Sequence, residues 1–425
     1  MSQNWSKGTK GIQSGYQPKA GEARVLLIYQ SATYKYDDPD QLEALFSLKA
    51  DGHLYSRISN PTVSALEEKY AKLEGGIGAV ATASGQSAIL LAILNICKAG
   101  DHIVSVSSLY GGTVNLFKVH LKNLGIEVTF VDPEATEEEI LAVTKGNTKL
   151  VYGETIGNPG LNVLDFEKFS RVAQQLNVPF IVDNTVGTPY LCNPFQYGVN
   201  VVVHSTTKYS EGHAQTVGGI IVDGGNFDWN HPKFPDFITP DESYHGLTYA
   251  KELGQSAYIV KLRVTLLRDL GPCMSPFNAY LTNLGLETLH LRMERHSNNA
   301  LELAKYLKNH PKISWVNYPY LEGSQGYDLA KKYLNGGGSG LLTFGIKGGI
   351  EESKRFCKAL NLVALAVTLG DVRSCILHPA TTTHSQLNDE ELIASGVTKD
   401  MLRVSIGIED ISDLIADFEQ ALKEV

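Results

Sequence analysis

The sequence has no excess of positive charge. Its 425 residues carry 37 Lys and Arg against 46 Asp and Glu, a formal net charge of −9. That leaves no basic footprint for nucleic acid or an anionic membrane surface. No uninterrupted apolar run is long enough to span a bilayer. The polar opening, MSQNWSKGTKGIQSGYQ, lacks the apolar core of a signal peptide. Cysteine is scarce: Cys97, Cys192, Cys273, Cys357 and Cys375 are dispersed without CxxC spacing. An odd, scattered set argues against a disulfide frame or zinc site and for reduced thiols in a cytoplasmic protein. HExxH is also absent, so no metal site is expected; His378 and His384, in a polar loop, read as turn hydrogen-bonders. Neither GxGxxG nor GxxxxGK[ST] occurs, which removes the two common nucleotide fingerprints. There is no internal repeat.

What is present is an ordinary globular composition, 43% apolar and 20% charged, in a chain long enough for two or three domains. Residues 1–62 have weak periodicity and many turn formers, and read as an arm packing on another subunit. Thr62 is expected to cap a helix over 63–73. From residue 78 the pattern becomes strand, turn, helix, repeated. Strands are expected at 79–83, 102–107, 126–131, 150–152, 179–183 and 201–203. The alternation predicts an α/β fold with an open, mostly parallel sheet covered on both faces. Ligands bind such sheets outside the carboxyl ends of the strands. Tyr110, Asn158, Asp183 and Lys208 each follow an expected strand, so they should meet at one rim. This large domain is expected over 63–277, with an irregular insertion near 223–249 that reads as a flap over the site. One long helix, 278–307, should bridge to a smaller α+β domain within 278–425, with strands near 340–345 and 402–405.

The stretch 201–219, VVVHSTTKYSEGHAQTVGG, centres on Lys208. Its valines read as a buried strand and Ser205, Thr206 and Thr207 as the loop at its end. A lysine among hydroxyl donors suits pyridoxal phosphate, with a Schiff base at the lysine and hydroxyls on the phosphate. A solvated surface lysine is the competing reading. Asp183 ends the apolar strand PFIVD, where a carboxylate can pair with a protonated pyridine nitrogen; a turn aspartate is the alternative. Ser84-Gly85-Gln86-Ser87 feeds a helix N-terminus, an anion site by its free N–H groups and dipole, although such termini are common. Arg57 beside Tyr55 suits a phosphate or carboxylate, or is merely exposed. Arg403, in the apolar strand LRVSI, suits a substrate carboxylate or a buried ion pair. Ser205 to Lys208 also matches S-x-x-K, but the S-D-N and K-T-G partners of acyl-serine chemistry do not occur.

Seven motifs occur in a familiar order: YSRISNPT (55–62), SGQ (84–86), YGGT (110–113), GNP (157–159), VDNT (182–185), the STTK block and RVSIGIED (403–410). In these the chain resembles the cystathionine γ-synthase and γ-lyase group of pyridoxal-phosphate enzymes of cysteine and methionine metabolism, from about residue 11 to 410. Gly112, the 224–245 insertion and the segments LLRDLGPCMSPFNAYL and GLETLHLRMERH are most similar to the O-acetylhomoserine sulfhydrylase branch. The resemblance implies a fold type I PLP-dependent transferase with an N-terminal arm. The activity it implies is γ-replacement on O-acetyl-L-homoserine by sulfide or a small thiol, with a γ-lyase or cystathionine γ-synthase as the alternative. By position, Lys208 would carry the cofactor and shuttle protons, and Asp183 would pair with the ring nitrogen. Tyr110 would stack on the ring and assist proton transfer. Gly85, Gln86, Ser205 and Thr207 would hold the phosphate. Tyr55 and Arg57 would reach a neighbouring subunit's phosphate, making a homodimer the minimal unit, with a homotetramer expected. Asn158, Thr368 and Arg403 would orient the cofactor and the substrate carboxylate. Leu27, Ala32 and Thr368 depart from the residues usual in the family.

Overall fold

The computed structural model describes residues 5–383, 385, 392 and 396–425; His384 lies outside the described residues. The larger sheet has seven strands: β1 (Gly78–Thr82), β2 (His102–Val106), β3 (Glu127–Val131), β4 (Thr148–Glu154), β5 (Phe180–Asp183), β6 (Val201–Ser205) and β7 (Gly219–Asp223). Their order is β1-β7-β6-β5-β4-β2-β3, and only β7 opposes its neighbours. Helices on both faces dehydrate the sheet, and Val201, Val202 and Val203 are fully buried. Continuous β-branched runs are what a strand buried on both faces requires. Because β2 to β6 run parallel, their carboxyl ends share one rim.

Before the sheet, residues 5–60 form an arm with helices at Lys7–Gln13 and Pro39–Phe46. The arm leaves Val25, Leu27, Ile28, Tyr29 and Phe46 exposed. The helix Pro61–Glu74 is capped by Asn60, not by Thr62: the Asn60 carboxamide accepts the N–H groups of Thr62 and Val63. Pro61 takes the first helical position, where its missing N–H costs nothing. The Thr62 hydroxyl instead ties down the arm, donating to the Leu27 carbonyl at 2.7 Å and accepting the Tyr29 N–H at 2.9 Å.

The 223–249 insertion does not cover this chain's cavity. Trp229 stacks on both Phe237 and Tyr258, while the Lys98 ammonium reaches Asp236 at 3.1 Å. Lys98 precedes β2, so this part packs at the rim opposite the site. The physical reason is the reversed β7: its end points to the amino ends of the parallel strands. Farther on, the Tyr244 hydroxyl donates to the Phe46 carbonyl of the arm.

The expected 278–307 helix is two helices, Pro276–Glu287 and Leu289–Lys308, broken at Thr288. Arg292 lies across the break, donating to the carbonyls of Gly285 and Tyr209, each at 2.7 Å. A side chain that takes a helical carbonyl is a recognised cause of a kink. The second helix covers a five-stranded sheet: β8 (Ile313–Asn317), β9 (Leu341–Ile346), β10 (Ala364–Leu365), β11 (Cys375–Leu377) and β12 (Met401–Ser405), in the order β10-β11-β12-β9-β8. Phe344, Phe356 and Phe418 form its aromatic core. Among the described residues, no helix is long and apolar enough to cross a membrane.

Candidate active site

A cavity of about 260 Å³ opens at the carboxyl ends of β4, β5 and β6, marked by Glu154, Asp183 and Ser205. Lys208, Tyr110, Gly85, Gln86, Thr207 and Asn158 line it from the large sheet, and Thr368 and Arg403 from the smaller one. Tyr55 and Arg57 do not line it. The Arg57 guanidinium lies 4.9 Å from the Tyr55 ring centre, and both side chains are exposed on the arm.

One wall is the N-terminus of the helix Gly85–Leu94. Ser84 and Ser87 close a reciprocal cap, each hydroxyl accepting the other's N–H at 3.0–3.1 Å. The N–H groups of Gly85 and Gln86 lie in the first turn, where a helix supplies no acceptor. The site needs glycine at 85: a Cβ there would sit 2.6 Å from the Ser205 Cβ. Thr207 is held in the facing loop, its hydroxyl donating to the Gly218 carbonyl at 3.2 Å and accepting the Gly218 N–H at 3.1 Å.

Asp183 is tied by the Thr185 N–H, which donates to its Oδ1 at 2.9 Å, while the Thr185 hydroxyl accepts the Ser205 N–H at 2.8 Å. Burial raises the Asp183 carboxyl, opposed by the Thr185 bonds and by His204. Lys208 has no acidic partner among the described residues. Burial first, and Arg403 second, push its amine below the usual lysine range, which favours the neutral, nucleophilic form.

Arg403 closes the opposite end. Its Nη1 donates to Asn158 Oδ1 at 3.0 Å and its Nη2 to the Thr368 carbonyl at 2.8 Å. Its Nε is buried without a hydrogen-bond partner among the described residues. Thr368 therefore acts here through its backbone, so the departure from the family's usual residue leaves this contact intact. The same carbonyl accepts the Cys375 thiol at 3.5 Å.

The sequence reading missed Glu154, Thr185, Val186 and Thr383, which also line the cavity. The Asp183-to-Thr185 turn has a signal, since aspartate side chains bond the backbone two residues on. Glu154 has a weaker one, a carboxylate ending an apolar strand. Among the described residues no cluster of His, Cys, Asp and Glu could hold a metal ion.

A buried unpaired lysine, a carboxylate at the next strand end, an anion-binding helix terminus and an arginine with a free buried N–H fit pyridoxal phosphate and an amino-acid carboxylate. The chemistry of this donor set defines a pyridoxal-phosphate enzyme. Residues 8–423 match the family of Cys/Met metabolism PLP-dependent enzymes. An O-acetyl-L-homoserine sulfhydrylase of Leptospira meyeri is 46% identical, covering 100% of this chain and 98% of its own. A homocysteine synthase of Schizosaccharomyces pombe is 47% identical over 98% of this chain and 97% of its own. A crystal structure of a putative O-acetylhomoserine (thiol)-lyase from Campylobacter jejuni, containing N'-pyridoxyl-lysine-5'-monophosphate, superposes with a TM-score of 0.95. It is 39% identical and covers 99% of this chain and 100% of its own. The chain belongs to the Cys/Met metabolism family of PLP-dependent enzymes.

Proposed function

We propose that the chain catalyses γ-replacement on O-acetyl-L-homoserine with sulfide or a small thiol, giving L-homocysteine or methionine and acetate. The observation that carries this is Lys208: one buried amine without a counter-charge, between Asp183 and Arg403 in a single cavity. Pyridoxal phosphate, when bound, supplies an electron sink that lets protons leave carbons next to the amino group.

The chain's own residues do the rest. The N–H groups of Gly85 and Gln86, with the hydroxyls of Ser205 and Thr207, hold the phosphate. Asp183 would pair with the ring nitrogen and favour its protonated form. Arg403, braced by Asn158 and the Thr368 carbonyl, takes the substrate carboxylate. Lys208, its pKa lowered by burial, removes the α-proton and then a β-proton. Acetate leaves the γ-carbon, the thiol adds there, and the protons return through Lys208, with Tyr110 beside it. Replacing Lys208 with Ala should abolish sulfide-dependent acetate release, and wild-type release from that variant would refute the assignment. Supplying O-acetylhomoserine with sulfide, cysteine or no thiol separates homocysteine, cystathionine and 2-oxobutanoate as products, and so replacement from lyase chemistry.

The domain division at 62 and 277 belongs to the same reading. Tyr55 and Arg57 complete a neighbouring subunit's phosphate site, so the minimal active unit is a homodimer, pairing into a homotetramer in the cytoplasm. Their exposure on the arm, away from this chain's own cavity, supports that arrangement.

A further inference from the structure

Burial does not fix the Tyr110 ring. The side chain is 44% exposed, and its hydroxyl has no hydrogen-bond partner among the described residues. The ring's place is therefore set through its backbone. The Tyr110 carbonyl accepts the N–H groups of Thr113 at 2.8 Å and Val114 at 3.1 Å, starting the helix Gly111–Asn115. The Tyr110 N–H donates to Glu154 Oε1 at 2.8 Å. Gly112 leaves room for the ring, since a Cβ there would lie 2.6 Å from Tyr110 Cε1.

Glu154 is an unusual acceptor to find in that place. It ends β4, is only 5% exposed, and has no cation in ion-pair range among the described residues. Its register partner on β5 is Asp183. Two carboxyl groups thus end adjacent buried strands, and burial together with the Asp183 charge holds Glu154 well above the usual carboxylate range. Glu154 Oε1 can accept the Tyr110 N–H with or without a proton on the other oxygen, so the contact does not depend on which carboxyl of the pair is charged.

We infer that Glu154 is a positioning residue that holds the Tyr110 backbone, and through it the ring, over the reacting carbons. This rests on the γ-replacement reading above. A reacting group displaced by about 1 Å can lose around a hundredfold in rate, so a single backbone contact is enough to matter.

The test uses the holoenzyme and compares Glu154→Gln, Glu154→Ala, Tyr110→Ala and the Glu154→Ala/Tyr110→Ala pair. Glu154→Gln keeps a carbonyl oxygen in place and should retain kcat within about fivefold, whereas Glu154→Ala should lose roughly ten- to a hundredfold in kcat with KM little changed. The Glu154→Ala protein should keep its cofactor, with altered visible circular dichroism as the ring above it shifts. In the Tyr110→Ala background, Glu154→Ala should cost less than about twofold, because residues acting as a unit are not additive. Multiplying losses would overturn the inference, as would a Glu154→Gln enzyme as slow as Glu154→Ala. If Glu154→Ala does not fold, Glu154→Asp serves, since it keeps a buried carboxyl but withdraws it by one methylene; wild-type kcat and circular dichroism there would also overturn it. A wild-type enzyme that makes no homocysteine would instead sink the activity reading, and the dichroism comparison would still judge Glu154.

Discussion

His296 shows how a single buried side chain near the site ties stability to pH. Its Nδ1 donates to the Ile406 carbonyl at 2.6 Å, its Nε2 has no partner among the described residues, and its ring stands edge-on to Tyr209, the neighbour of Lys208. Burial pushes its pKa down from the usual 6.5 to about 4. The unfolded chain therefore takes up a proton first as pH falls. The stability tied to a neutral His296 is complete above about pH 6.5 and is lost progressively towards about pH 4. Between pH 7 and pH 5 this amounts to about 2 kcal/mol. Urea unfolding at the two pH values should show that loss in the wild type and a smaller one in His296→Asn.

Among the elements, the broken helix pair joins the two sheets and the lysine loop. Arg292 is buried and donates to the backbone of residues 209, 210 and 285. Gly285 must be glycine for the helix to approach that loop, because a Cβ there would sit 2.3 Å from the Glu211 carbonyl oxygen. Substituting Arg292 with Met removes the donor to the Tyr209 and Ser210 carbonyls and should destabilise the fold by about 2–4 kcal/mol. Thermal unfolding of the holoenzyme reads this directly. The same change should lower the cofactor's affinity, since the Lys208 loop loses its brace; unchanged affinity would separate the kink from the site.

At the scale of the whole molecule, Tyr55 and Arg57 do not line this chain's cavity and are exposed on an arm that also exposes Val25, Leu27, Ile28, Tyr29 and Phe46. If one subunit's arm completes another's site, variants with Lys208→Ala and with Arg57→Ala should each be nearly inactive. Co-expressed, they should form hybrids holding one intact site and regain activity. Lack of complementation in isolated hybrids would place both residues in one site and refute the shared arrangement.

The sequence by itself determined the parallel α/β plan and the rim at which Tyr110, Asn158, Asp183 and Lys208 meet. Apolar β-branched runs and small-residue turns are local signals, and the parallel direction of the strands carries their ends to one edge. It also marked the Gly85 and Gln86 turn, through a helix start that short-range spacing reveals. Only the tertiary structure decided the rest. Asn60 rather than Thr62 caps its helix because Thr62 is engaged by the distant arm. The 278–307 helix breaks because Arg292 has partners 83 residues back, at Tyr209. The insertion packs away from the cavity because β7 runs against its neighbours. Arg403 and Asn158, 245 residues apart, meet through the packing of two sheets. Glu154 beside Asp183 follows from strand register, which no spacing along the chain encodes.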